Sequence, residues 1–348
     1  RLMATMIHFA TNRKPAPKTV FSESFNDDPD ELRFGTASFD GSALYRAPLD
    51  AVAASAEVTI RPENLARNRL GSTDAFAAIR QAVSGNRDVL LFVHGYNHSF
   101  RESLGRAVQI QQWLADGGRD MVMVLFAWPS LGRGVSGRTY RDERGRAQMS
   151  GPALGRLLLK AADFLRAGPA GAGDPGAVCI ARIHLLAHSM GNWVLRGGIG
   201  HMRTFVGDNI PPLFDEVILT AADEDDDTLT APKKLAPLLR GCRRATVYYN
   251  QQDLALKASD VAMGNPDRLG LAGPLRPDTL PAKVAAINVS PAILRNLTGD
   301  RAWEDDPTGH QYFRNNAVVR ADMLHVMTGA LDEDIPNRSR RPGWWRLG

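Results

Sequence analysis

Ser189 stands in "IHLLAHSMGNWVL", residues 183–195, where an apolar strand pattern gives way to a helical one. A serine on such a sharp strand-to-helix turn is lifted above the sheet edge, at the start of a helix, and is placed to attack a carbonyl carbon. Gly191 follows two residues on, while the position two before the serine holds Ala187, one methyl group larger than the glycine such turns favour. An extended backbone at 187 accommodates that methyl, whereas a positive φ would not. A hydroxyl nucleophile also needs a base, a group that orients the base, and donors for the oxyanion.

Three histidines follow the serine in sequence. His201 falls only one helix beyond it, too close to fold back over the hydroxyl. His325 lies inside a helical pattern, where a structural histidine is the plainer reading. His310, in the polar stretch "EDDPTGHQYFRNN", is the expected base. Two carboxylates at strand ends could orient it. Asp253 follows "ATVYYN" as the lone carboxylate of "NQQDLALKAS" and is the first choice. Asp223 opens an acidic run to Asp227, which reads as a solvated loop or a weak cation site. Upstream, His94-Gly95 closes "LLFVHGYN"; a turn there can aim the N–H of Tyr96 at the same point as the N–H of Met190, giving an oxyanion hole of two backbone donors.

These residues need a scaffold, and the pattern from residue 72 onward supplies one. Apolar runs ("RDVLLFVHG", "DMVMVLFAW", "AVCIARIHLLAH", "FDEVILTAA", "ATVYYN", "KVAAINVS") are separated by helical patterns such as "ESLGRAVQIQQWLAD" and closed by "NNAVVRADMLHVMTGAL". Strands apolar throughout and linked by helices predict an α/β fold with a mostly parallel sheet covered on both faces. Residues 1–71 read as shorter strands added at one edge. With no linker in sight, residues 1–348 read as one domain. The stretches 129–150 and 254–281 are expected as loops that cap or build the site, together with the Asp223–Lys234 connection. Arg133, Arg138 and Arg141 in the first of them could favour an anionic substrate. Residues 337–348, "NRSRRPGWWRLG", are expected as a short solvated basic tail.

A formal net charge of +4, with 44% hydrophobic and 23% charged residues, is that of an ordinary soluble protein. Most arginines are spread along the chain, and the one cluster beside aromatics, at Trp344 and Trp345, reads as a solvated tail, so no nucleic-acid partner is expected. No apolar run reaches the ~20 residues of a membrane span. The N-terminal stretch lacks an apolar core of signal-peptide length, so a cytoplasmic location and no membrane partner are expected. Cys179 and Cys242 make neither a disulfide framework nor a metal set and read as small buried thiols.

The segments "FATNR" (9–13), "FVHGYNHSF", "FAWPS", "LLAHSMGNWVL", "VYYNQQDLAL" and "GHQYF" together resemble the alpha/beta-hydrolase superfamily, more narrowly a bacterial branch of alpha/beta hydrolases of unknown function. The similarity spans almost the whole chain, and in that branch an alanine at the position of Ala187 is common. It implies Ser189 as nucleophile, Asp253 as acid, His310 as base, and Tyr96 with Met190 as oxyanion donors. The expected activity is cleavage of a small-molecule carboxylic ester, with no metal or organic cofactor. Amidase, thioesterase, acyltransferase and lactonase chemistry fit the same triad, and a non-catalytic interaction protein on the scaffold is the competing class. The oligomeric state is left open.

Overall fold

A computed structural model of the chain describes residues 4–63, 70–83, 87–131, 137–166, 181–232, 234–264, 266–296 and 306–348. Its strands are β1 (Thr5–Thr11), β2 (Arg13–Ala16), β3 (Val20–Phe25), β4 (Arg33–Phe39), β5 (Glu57–Ile60), β6 (Val89–Val93), β7 (Val122–Phe126), β8 (Ile183–His188), β9 (Phe214–Thr220), β10 (Cys242–Tyr249), β11 (Val284–Asn288), β12 (Arg338–Arg341) and β13 (Trp344–Leu347). Among the described residues, eleven of them form one sheet in the order β12-β13-β11-β10-β9-β8-β6-β7-β1-β4-β5, while β2 and β3 pair as a separate ribbon. From β1 to β13 every neighbouring pair is parallel; β4, β5 and β12 are antiparallel additions.

The apolar runs follow from burial on both faces. Along β6, Val89, Leu91 and Val93 enter one core and Leu90 and Phe92 the other. The first core is closed by α2 (Gly71–Ala82), α4 (Gly137–Arg166) and α5 (Gly191–Val206), the second by α1 (Leu49–Ala54), α3 (Phe100–Asp116), α8 (Ser290–Asn296) and the helix Ala317–Thr328. Side chains alternate between faces because the strand period is two, so each strand must be apolar at every position. Fully burying one such Phe or Leu contributes about 1.5–3 kcal/mol relative to leaving it exposed.

Several sequence expectations are corrected. β1 is no simple edge addition: it pairs parallel with β7 as well as antiparallel with β4. The stretch 129–150 is not a loop throughout, because α4 begins at Gly137. The stretch 254–281 contains α6 (Leu254–Met263), capped by Asp253, and α7 (Leu269–Ala272). The expected basic tail is a β-hairpin whose β13 pairs with β11. Arg338 within it is held by Asp322 at 2.6 Å and Asp332 at 2.7 Å, so its charge is spent inside the fold. Arg133 and Cys179 lie outside the described residues, and Arg138 and Arg141 are exposed. Cys242 is buried at the start of β10, where burial pushes its thiol up to about 11. Among the described residues, no helix is long and apolar enough to cross a membrane.

Candidate active site

β8 ends at His188 and α5 starts at Gly191, so Ser189 and Met190 make the whole turn. Ser189 has φ +53°, a left-handed backbone that a non-glycine residue adopts only when its surroundings hold it there. Those surroundings are on hand. The Ser189 N–H donates to Thr220 O at 3.0 Å, and Ser189 O accepts from the backbone N–H of Asn192 at 3.1 Å and of Asp223 at 3.2 Å. Gly191 is required because a Cβ there would lie 2.6 Å from the carbonyl oxygens of Val93 and His94. Ala187 sits in β8, in register with Val93 and Leu219 and without a positive φ, so its methyl is accommodated.

His310 and Asp253 are brought together. The His310 Nδ1–H donates to Asp253 Oδ2 at 2.6 Å, and both residues are buried. The other oxygen, Oδ1, accepts the N–H of Leu256 at 3.0 Å and caps α6. The two loops are fastened to each other: Asn250 Nδ2 donates to Gly309 O at 2.8 Å, and the Leu254 N–H to Thr308 O at 2.9 Å. His188, next to the serine, donates its Nε2–H to His310 O at 3.1 Å, which ties the histidine loop to the nucleophile turn. Burial pulls the His310 imidazole towards its neutral form, but the charge and hydrogen bond of Asp253, with Asp306 and Asp223 beyond, outweigh it and raise its pKa.

The β6 turn closes the site from the other side. A Cβ on Gly95 would meet Ser189 Cβ at 3.0 Å and His188 Nδ1 at 2.9 Å, so this glycine lets the turn touch the serine. Trp128 stacks on His94 and donates its Nε1–H to His94 O at 2.8 Å. Arg13, fully buried, donates to His98 O at 3.0 Å, and the His98 N–H donates to Ser130 Oγ at 3.3 Å. The loop holding Tyr96 is thus braced from the start of β2 and from the segment that follows β7. Among the described residues, neither the Tyr96 nor the Met190 N–H donates to a main-chain acceptor.

The acidic run is not the solvated loop expected from its composition. Asp223, Glu224 and Asp225 are all buried. Tyr140 of α4 donates its hydroxyl to Asp223 Oδ2 at 2.5 Å. Arg268, also fully buried, is hydrogen-bonded to Asp225, while Lys234 pairs with Asp225 at 2.8 Å. Burial raises the pKa of Asp223 despite the Tyr140 hydroxyl and the Arg268 charge, and pushes Glu224 up to about 7. Among the described residues, no three His, Cys, Asp or Glu side chains are grouped to hold a metal ion.

Sequence reasoning passed over Arg13, Tyr140 and Arg268. Arg13 carried a readable signal, a cation two residues past the end of the apolar strand β1. Tyr140 and Arg268 did not, because they lie in stretches rich in glycine, proline and charge.

A family described as alpha/beta hydrolase of unknown function (DUF900) matches residues 73–327. The chain belongs to this family. In this alpha/beta hydrolase the matched span holds Tyr96, Ser189, Met190, Asp253 and His310, while Arg13, which braces the Tyr96 loop, lies ahead of it. No curated protein matches the chain.

Proposed function

We propose that the chain is a serine hydrolase of carboxylic esters, with Ser189 as nucleophile, His310 as general base and Asp253 as the orienting acid. The observation that carries this reading is the buried 2.6 Å hydrogen bond between His310 and Asp253, on a loop tied to the residue preceding a strained serine. With its Nδ1–H donated in a hydrogen bond to Asp253, the imidazole keeps its lone pair on Nε2, the nitrogen that would take the serine proton. Ser189 Oγ then bonds to the carbonyl carbon, and the oxyanion is received by the N–H groups of Tyr96 and Met190. His310 returns the proton to the departing alcohol as the ester C–O bond breaks. Water, deprotonated by the same imidazole, cleaves the acyl-enzyme and releases the acid.

Labelling with a fluorophosphonate probe, read by intact mass and peptide mapping, tests the reading. The expected result is one adduct on Ser189, with hydrolysis of activated esters lost in Ser189→Ala by a factor of order 10⁶ in kcat, as in the subtilisin triad. A folded parent protein that takes up no probe and turns over no ester would overturn it.

A further inference from the structure

Two buried polar atoms that the triad does not use belong to Asp223, whose backbone N–H holds Ser189 O, and to Arg268 next to it. Asp223 Oδ1 and Arg268 Nη1 face each other at 3.9 Å, too far for a hydrogen bond, and neither has a hydrogen-bond partner among the described residues. Asp223 is 2% exposed and Arg268 0%. Their remaining polar atoms are engaged. Asp223 Oδ2 takes the Tyr140 hydroxyl, Arg268 Nη2 goes to Asp225, and Arg268 Nε donates to Pro266 O at 2.9 Å with Asp260 at 3.5 Å. These bonds hold the carboxylate and the guanidinium apart. A buried acceptor and a buried donor left open cost stability unless something fills the gap. An oxygen about 2.8 Å from each atom would complete a triangle, and it must accept from the guanidinium while donating to the carboxylate. A hydroxyl does both.

We propose that Asp223 and Arg268 form a subsite for a hydroxyl group carried by the substrate, so that the preferred esters are hydroxylated on the acyl or the alcohol part. The inference rests on the ester-hydrolase reading and deepens it. The subsite is one hydrogen bond from the nucleophile turn, because the Asp223 N–H holds Ser189 O at 3.2 Å. Its carboxyl also acts through space on His310 and Tyr96. An aliphatic substituent in the same place would leave both atoms unpaired, and a site built to bond a hydroxyl discriminates strongly against the analogue without one.

Two substrate pairs separate the sources of the hydroxyl: 4-nitrophenyl butanoate against its 3-hydroxybutanoate, and propyl butanoate against 2,3-dihydroxypropyl butanoate. In at least one pair the hydroxylated ester should have a kcat/KM roughly 10- to 100-fold higher. Asp223→Asn, isosteric and able to keep the Tyr140 contact, turns a donor towards Arg268 and should bring that ratio close to one. Ratios near one in the parent protein, with plain esters turned over and Ser189 labelled, would mean that the gap holds water only; the inference would fall and the hydrolase reading would stand. If no ester is turned over, ligand-observed NMR on Ser189→Ala, comparing 3-hydroxybutanoate with butanoate and glycerol with propanol, still reads the subsite. A preference for the hydroxylated member that Asp223→Asn abolishes supports it, and equal or absent binding overturns it.

Discussion

Asp253 holds His310 with one carboxylate oxygen, at 2.6 Å, and caps α6 with the other. The orientation of the imidazole is therefore coupled to the start of a helix, and the carboxylate cannot rotate away without uncapping it. Asp223 stands at the end of the preceding strand, β9, but its engaged oxygen faces Tyr140. The two acids are equivalent in chain order and differ in what each oxygen touches.

That difference sets the ranking of two variants. Asparagine caps a helix about as well as aspartate, so Asp253→Asn leaves α6 capped but turns an NH2 donor towards His310 Nδ1 in place of the charged acceptor, which forces the wrong histidine tautomer. It should lower kcat on an activated ester by roughly 10⁴, as loss of the orienting carboxylate does in serine proteases. Asp223→Asn should cost less than about tenfold on an ester with no hydroxyl, since its carboxylate holds Tyr140 rather than the imidazole. Steady-state kinetics on two folded variants decide it, and the reverse ranking would move the acid to β9.

The pH dependence of kcat/KM follows from the same pair. His310 must be neutral to take the serine proton, so activity rises as pH climbs through its pKa. Burial would lower that pKa, but Asp253, with Asp306 and Asp223 beyond, outweighs it, so the rising limb should lie above the ordinary histidine value of 6.5. Asp253→Asn should slide the residual limb to lower pH. A limb that stays put in this variant would show that another group controls the profile.

The parallel sheet, the seat of Ser189 and the placement of Asp253 and His310 were legible in the sequence for a physical reason. Strands buried on both faces are apolar at every position, and polar residues just past their C-terminal ends stand out. Ala187 was legible too, since its methyl is tolerated in an extended backbone though not at a positive φ, and β8 is extended there. The acidic run misled because composition reports charge and not what crosses from other segments. Asp223 is buried by Tyr140, 83 positions away, and Asp225 by Arg268, 43 positions away. The C-terminal hairpin misled in the same way, as β11, Asp322 and Asp332 turn a basic stretch into a sheet edge.

The oxyanion side is a matter of backbone, so side-chain deletion and turn disruption should separate there. Tyr96→Ala keeps the N–H and should retain measurable turnover. Gly95→Val places branched carbons where even a Cβ meets Ser189 Cβ at 3.0 Å, and it should cost far more in kcat. Loss of one oxyanion donor alone is worth about 2.7–4 kcal/mol of transition-state stabilisation. Equal losses in both variants, each folded by circular dichroism, would count against a backbone role at Tyr96.

The brace under that turn should respond to acid through His98. This imidazole is buried and donates its Nδ1–H to Tyr96 O at 3.0 Å; burial, with help from the Arg106 charge, lowers its pKa to about 4. In the unfolded chain it titrates near 6.5. Between these values the unfolded state binds the extra proton, so the contribution of a neutral His98 is present above pH 6.5 and is lost as pH falls towards 4. At pH 5 the loss from this one group is about 2 kcal/mol. Glu224, raised to about 7, and Asp260, raised to about 6, take up protons in the folded state and pull total stability the other way. The pH trend of the parent protein alone therefore does not report on His98, but a difference does. His98→Gln stays neutral at every pH and should be less stable than the parent at pH 7, through lost packing. At pH 5 the parent loses its advantage on protonation, so the gap should narrow by about 2 kcal/mol. Urea unfolding of both proteins at pH 7, 6 and 5 measures the gap, and a constant difference would show that His98 is not held neutral in the fold.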